Sequence, residues 1–312
     1  MNVQRAVLGV SLGALGCQPA RTLTHVAGID RSFGQLVVGE QDNDLHVIDD
    51  DVLLRIDLDQ TQLDRYTTGD DSVQLLEVDE RDQAAGPRAL LQDAEGLWQI
   101  DRSANLLIAG PRALLRAAAW RDDGLVTLEQ RPQGGCTLVW HSPDLVDQQT
   151  LEMPERACAP GALLRVDRQS GDAFVVTLDG VWGAQDDGQV TEWADGGDLA
   201  RFDPAIGAVV IATRRDTELH AWSMAGEELW YVDLGEPIVD FDDLGTAGAL
   251  AVVSSSGQGG RVALLDTLAG APITAETLPL PPTRVRGAES GGRIVIGFNG
   301  EMHVFDVDPE AK

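Results

Sequence analysis

Leu219-His220-Ala221-Trp222-Ser223, the turn Met224-Ala225-Gly226-Glu227, and Leu229-Trp230-Tyr231-Val232-Asp233-Leu234 read as strand, turn, strand. Two more β-rich runs, 199–203 and 208–213, precede them and make a unit of four. The pattern extends in both directions. Apolar runs ending near an Asp or a turn recur at 25–30, 75–79, 114–118, 163–167, 199–203, 238–242 and 284–288. A second run follows each, at 35–39, 89–92, 125–129, 173–178, 208–213, 249–254 and 293–298. A third begins at 45, 97, 137, 181, 219, 262 and 302, and a fourth follows most copies, as at 52–58 and 189–193. Self-similarity at a period of about 40 residues marks propeller or solenoid architectures. Four strands repeated seven times predicts an all-β chain, a seven-bladed β-propeller of four-stranded antiparallel blades. The last copy has three strands before Lys312, so its open edge needs a partner; 21–24, just before the first inner strand, is the expected donor and closes the ring.

The segment His220 to Leu234, with its Gly-containing turn and Trp-bearing strand, resembles the repeat of PQQ-like, quinoprotein-type propellers. That resemblance implies the architecture over most of the chain and a non-catalytic bacterial lipoprotein member of the superfamily. It makes a quinone-dependent oxidoreductase the first enzyme to consider. Such enzymes have eight blades and a calcium site over the ring, neither of which the repeat supplies, so no cofactor is expected. The Gly-His and Trp-Asp marks of WD40 repeats are missing.

Composition narrows the partners. With 23 basic against 51 acidic residues the net charge is −28, which repels nucleic acid and anionic lipid. Hydrophobic content of 43% suffices for a sizeable core, and no apolar run reaches the roughly 18 residues of a spanning helix. The N-terminus reads as an export signal over residues 1–16, with the propeller as one domain over 17–312. Ala14-Leu15-Gly16-Cys17 resembles the lipobox of bacterial lipoproteins, departing from it at Ala14, where that motif favours Leu. It implies lipid attachment at Cys17 and anchoring in the cell envelope, facing periplasm or surface; the expected state is a monomer. An uncleaved, cytoplasmic propeller is the alternative. Cys136 and Cys158 then remain as an even pair, either a disulfide or two buried thiols. In an up-and-down blade the 2-3 loop and the 4-1 connection share a face, which makes the bond feasible.

His46, His220 and His303 occupy one repeat slot on different blades, too far apart to share a metal ion; they read as packing residues and no metal site is expected. Asp30, Asp79, Asp167, Asp203 and Asp242 read as turn formers, and Asp122-Asp123-Gly124 as a hairpin turn. No nucleophile elbow appears. One set stands out. Two residues before the Asp-like position of the inner strands stand Gly28, Glu77, Arg116, Arg165, Arg201, Asp240 and Arg286. Polar groups there must reach water or a partner. Two readings follow: an anion-binding channel, or a self-satisfied ring of ion pairs that holds blades together. The expected function is a scaffold for envelope proteins or a binder of a small anion, with an enzyme using the central channel as the rival.

Overall fold

In the computed structural model the described residues are 114–307, apart from 143–145, 186–187, 204–205, 246–247, 258 and 288–291, together with strand segments between 23 and 109. Residues 1–22 lie outside them, and with them the 14–17 motif and Cys17. Among the described residues the elements are strands, with a 3-10 turn at Glu155–Cys158.

The strands group in fours, in antiparallel sheets joined mostly in sequence order. The third sheet is Leu114–Arg121, Gly124–Gln130, Cys136–His141 and Asp147–Met153. The fourth is Leu163–Val166, Ala173–Thr177, Gly180–Ala184 and Val190–Ala194. The fifth is Leu199–Asp203, Ala208–Ala212, Glu218–Ser223 and Glu228–Asp233, and the sixth is Ile238–Asp243, Ala249–Ser255, Gly260–Asp266 and Pro272–Leu278. Before them, Gln35–Val38, Asp44–Asp49, Val52–Asp57 and Gln62–Thr67 make one sheet, and Gln74–Asp79, Arg88–Gln92, Leu97–Ile100 and Asn105–Ala109 another. The last sheet runs Arg284–Gly287, Arg293–Gly297, Met302–Val307 and then Leu23–Ile29.

That last pairing corrects the reading of the first repeat. Leu23–Ile29 is not an inner strand; it is the outermost strand of the last sheet, with Leu23 opposite Val307 and Ile29 opposite Met302. Gln35–Val38 therefore begins the first sheet, its third strand is Val52–Asp57, and Gln62–Thr67 is a fourth strand missed in the sequence. Gly28 leaves the inner slot, and His46, on a second strand, leaves the slot of His220 and His303. An apolar run looks the same wherever it sits in a sheet, which is why periodicity misassigned it.

Burial follows strand position. The second strands Ala173–Thr177 and Ala208–Ala212 are buried at every residue, because sheets pack on both faces; their runs are accordingly almost wholly apolar. The outer strand Asp147–Met153 is mostly exposed and correspondingly polar. Between the third and fourth sheets Val126, Leu128, Leu138, Trp140, Val175 and Trp182 form one cluster. Truncating a buried Leu there to Ala costs about 2–5 kcal/mol. Trp140 Nε1 also donates to the Gly171 carbonyl at 2.8 Å, and Gly171, at φ 78°, closes the turn that begins at Asp167. Cys136 opens the third strand of its sheet, Cys158 ends the 3-10 turn leading to the fourth, and a disulfide joins them.

Candidate functional site

The first strands of the third to last sheets lie side by side, so the inner-slot residues come from neighbouring strands. Arg165, Arg201, Asp240 and Arg286 stand opposite Phe174, Val210, Val253 and Val295 of their second strands. Arg116 falls on a bulge, between Leu115 and Ala117, and is not equivalent to them. Glu77 stands opposite Leu90, with its side chain outside the described residues.

The structure joins three of these residues. Arg286 Nη1 lies 2.5 Å from Asp240 Oδ2, which also accepts the Val285 N–H at 3.1 Å. Arg201 Nη2 is 3.9 Å from the other Asp240 oxygen, and its Nε donates to Asp242. Asp242 Oδ2 in turn accepts the Gly287 N–H at 3.0 Å. Asp240 is nearly buried, so these contacts replace its water. Burial works against the charge of Arg201, but the Asp242, Asp240 and Asp243 carboxylates outweigh it and raise its pKa above the ordinary arginine value. The guanidinium also lies over the Phe241 ring, 6.0 Å from its centre.

Asp242 is thus a correction: a turn former by sequence, it is the carboxylate that holds Arg201. Residue type and spacing cannot distinguish the two roles, since the partner stands 41 positions away. Asp167 does form its turn, accepting the Gln169 N–H and the Ser170 hydroxyl at 3.0 Å.

Arg165 and Arg116 behave differently. Arg165 donates to the Ala200 carbonyl at 2.8 Å and to Leu164 at 2.7 Å, and Arg116 donates to Gln130. Arg116 Nε is buried with no hydrogen-bond partner among the described residues.

A Thr127–His141–Asp147 constellation went unnoticed in the sequence. Thr127 Oγ1 is 2.9 Å from His141 Nε2, and Nδ1 is 3.1 Å from Asp147. The Thr127 hydroxyl also donates to Glu129 at 3.0 Å and is fully buried, so the group is a structural network and not an activated nucleophile. It links three strands of one sheet. His220 contacts Glu228 at 2.7 Å and Glu218 at 3.5 Å, and His303 contacts Glu301 at 3.3 Å. Each ring is held by its own sheet, and no group of three potential metal ligands occurs among the described residues. No helix there is long and apolar enough to cross a membrane.

Solved structures match this arrangement. A chain of the mitotic checkpoint complex superposes over 98% of this chain and 99% of its own, with a TM-score of 0.68 and 11% identity. The β-propeller domain of Myceliophteria thermophila Cps50 (Swd1) superposes over 92% and 100%, with a TM-score of 0.66 and 11% identity. The fold is a β-propeller. Its structural neighbours include WD40-type propellers although the sequence lacks their marks, and BBS1N, in its complex with ARL6DN, matches over 93% of this chain at 12% identity with a TM-score of 0.68. No family model and no curated protein matches the sequence.

Proposed function

We propose that the chain is a protein-interaction scaffold of the bacterial cell envelope: a seven-bladed propeller of residues 17–312, closed by its N-terminal strand and anchored through lipid on Cys17. The observation that carries the scaffold reading is the mutual pairing of Arg201, Asp240, Asp242 and Arg286. These groups join three sheets to one another, which leaves the loops of a rigid body as the surfaces for recognition. Propellers of like fold stand in complexes, as BBS1N does with ARL6DN, a fold-level analogy. Two observations support the envelope. The Cys136–Cys158 disulfide suits an oxidising compartment. Only five residues lie between Cys17 and the strand that begins at Leu23, a tether of about 20 Å when extended, which would hold the propeller close to a membrane.

Intact mass of the protein purified from membranes of an expressing bacterium, beside Cys17→Ala, tests the anchor. A chain beginning at Cys17 with added acyl mass, lost in the variant, supports it. A chain beginning at Met1 without that mass overturns it and leaves a cytoplasmic propeller. A second reading, an anion site on the inner strands, is favoured by Arg116 Nε, which is buried without a hydrogen-bond partner among the described residues. The enzymatic rival using the central channel requires that Arg165→Gln/Arg201→Gln abolish a turnover while the fold survives.

A further inference from the structure

Of the large apolar side chains that stand exposed among the described residues, Val146, Leu178, Leu268 and Leu280 lie in turns and connections, whereas Leu229 and Tyr231 share one strand. That strand, Glu228–Asp233, is the fourth of the fifth sheet and its outer edge, paired on one side with Glu218–Ser223. An antiparallel edge strand turns alternate N–H and C=O groups outward, where the sheet leaves them unpaired. Other outer strands cover that edge with polar side chains. Asp147–Met153 exposes Asp147, Gln148, Thr150 and Glu152, and Pro272–Leu278 exposes Pro272 and Thr277. Here the exposed pair is apolar, 45% for Leu229, which falls on a bulge, and 46% for Tyr231.

The strand is firmly mounted. Trp230, between the two, is buried in the cluster shared with the sixth sheet, and its Nε1 donates to the Thr267 carbonyl at 2.7 Å. The Tyr231 ring stacks on His220 of the neighbouring strand, centroids 6.0 Å apart and planes 21° from parallel. His220 in turn lies 2.7 Å from Glu228 and 3.5 Å from Glu218, so carboxylates border the apolar pair. Asp233, opposite Glu218, accepts the Gly235 N–H at 2.8 Å, which favours its charged form.

We infer that the Glu228–Asp233 edge takes up an extended segment of a partner protein as a fifth strand, apolar at alternate positions and basic at its ends. The inference rests on the scaffold reading and names its surface. Main-chain hydrogen bonds would complete the open edge, and alternate apolar side chains would cover Leu229 and Tyr231. Lysine or arginine at the ends would meet Glu228 and Asp233, in a chain of net charge −28. A second copy fits badly. Antiparallel self-pairing of 228–233 sets Glu228 against Asp233 at both ends, and like charges directly opposite destabilise a sheet. The Tyr231 ring, already ordered against His220, loses little freedom on binding.

The test uses the full chain and the fluorescein-labelled, C-amidated peptide Lys-Thr-Val-Thr-Val-Thr-Lys, followed by anisotropy. Two controls replace both lysines by glutamate or both valines by serine. Saturable binding of the first peptide is expected, about tenfold or more tighter than that of either control. Leu229→Ser/Tyr231→Ser should weaken it about as much with the urea midpoint unchanged, and Glu228→Lys/Asp233→Lys should shift the preference to the glutamate-ended peptide. Hydrogen exchange read by mass spectrometry should slow across 228–233 when the peptide is bound. Absence of saturable binding, or equal binding of the three peptides, overturns the inference. Concentration-dependent dimers in sedimentation that Leu229→Ser/Tyr231→Ser abolishes also overturn it, assigning the edge to a second copy. Binding that survives Leu229→Ser/Tyr231→Ser, with slowed exchange on another strand, overturns this surface and leaves the scaffold reading standing. Failure of the envelope anchor shows separately, in the mass of the membrane-purified chain.

Discussion

Arg286 and Asp240 meet at 2.5 Å across the boundary between the last two sheets, and the same carboxylate faces Arg201 from the sheet before. One buried anion therefore ties three inner strands. Asp240→Asn leaves both guanidiniums part-buried without that charge, and the expected loss is about 3 kcal/mol. Urea unfolding measures it as a lower midpoint at unchanged slope. Asp240→Asn combined with Arg286→Gln should lose less than the sum of the single variants, since the two residues share one interaction.

The pH dependence of stability has its source elsewhere. The raised pKa of Arg201 contributes stability that is fully present below the ordinary arginine value, so it is constant from acid to neutral pH and is lost only far into the alkaline range. Asp123 is held below its ordinary 3.8 chiefly by the hydrogen bond from Arg121, and Asp233 by the Gly235 N–H at 2.8 Å. Carboxylates with depressed values stabilise the fold above 3.8, and that contribution disappears as pH falls through the folded values. Asp123→Asn/Asp233→Asn should therefore unfold over a flatter acid limb below pH 4. Circular dichroism melts from pH 6 to pH 2 would record it; an unchanged limb would count against both contacts.

Much of the fold was legible because second strands such as Ala173-Phe174-Val175-Val176-Thr177 are covered on both faces and so must be apolar throughout. Gln62–Thr67 was not, since an outer strand may carry Gln, Asp, Arg and Thr without penalty and then resembles a loop. Leu23–Ile29 was visible as a strand but not as an edge, because its partner lies at the other end of the chain. For the site, the inner-strand arginines and one of their partners, Asp240, were evident from the repeat, whereas the other partner was not. Asp242 required three-dimensional proximity.

Two buried tryptophans separate hydrogen bonding from packing. Trp140 Nε1 bonds to the Gly171 carbonyl, whereas Trp182 Nε1, equally buried in the same cluster, has no partner among the described residues. Trp140→Phe should cost more than Trp182→Phe by about 1 kcal/mol, the net value of a hydrogen bond, with similar cavity losses in both. Equal urea midpoints for the two variants would remove the bond from the account.

The disulfide between Cys136 and Cys158 closes a loop across a sequence separation of 22 residues, containing the outer strand Asp147–Met153 and the turn that leads to the fourth sheet. Cross-linking a loop of this length lowers the entropy of the unfolded chain by an amount equivalent to about 3 kcal/mol. Cys136 and Cys158 are also buried beside Met153 and Ala157, so their replacement tests packing as well as the link. Cys136→Ala/Cys158→Ala should lower the urea midpoint, and reductant should lower that of the parent while leaving the variant unmoved. The size of the reductant effect isolates the covalent constraint from the lost sulfur contacts. A parent indifferent to reductant would mean that the thiols contribute by packing alone, and would remove one of the two supports for an oxidising compartment.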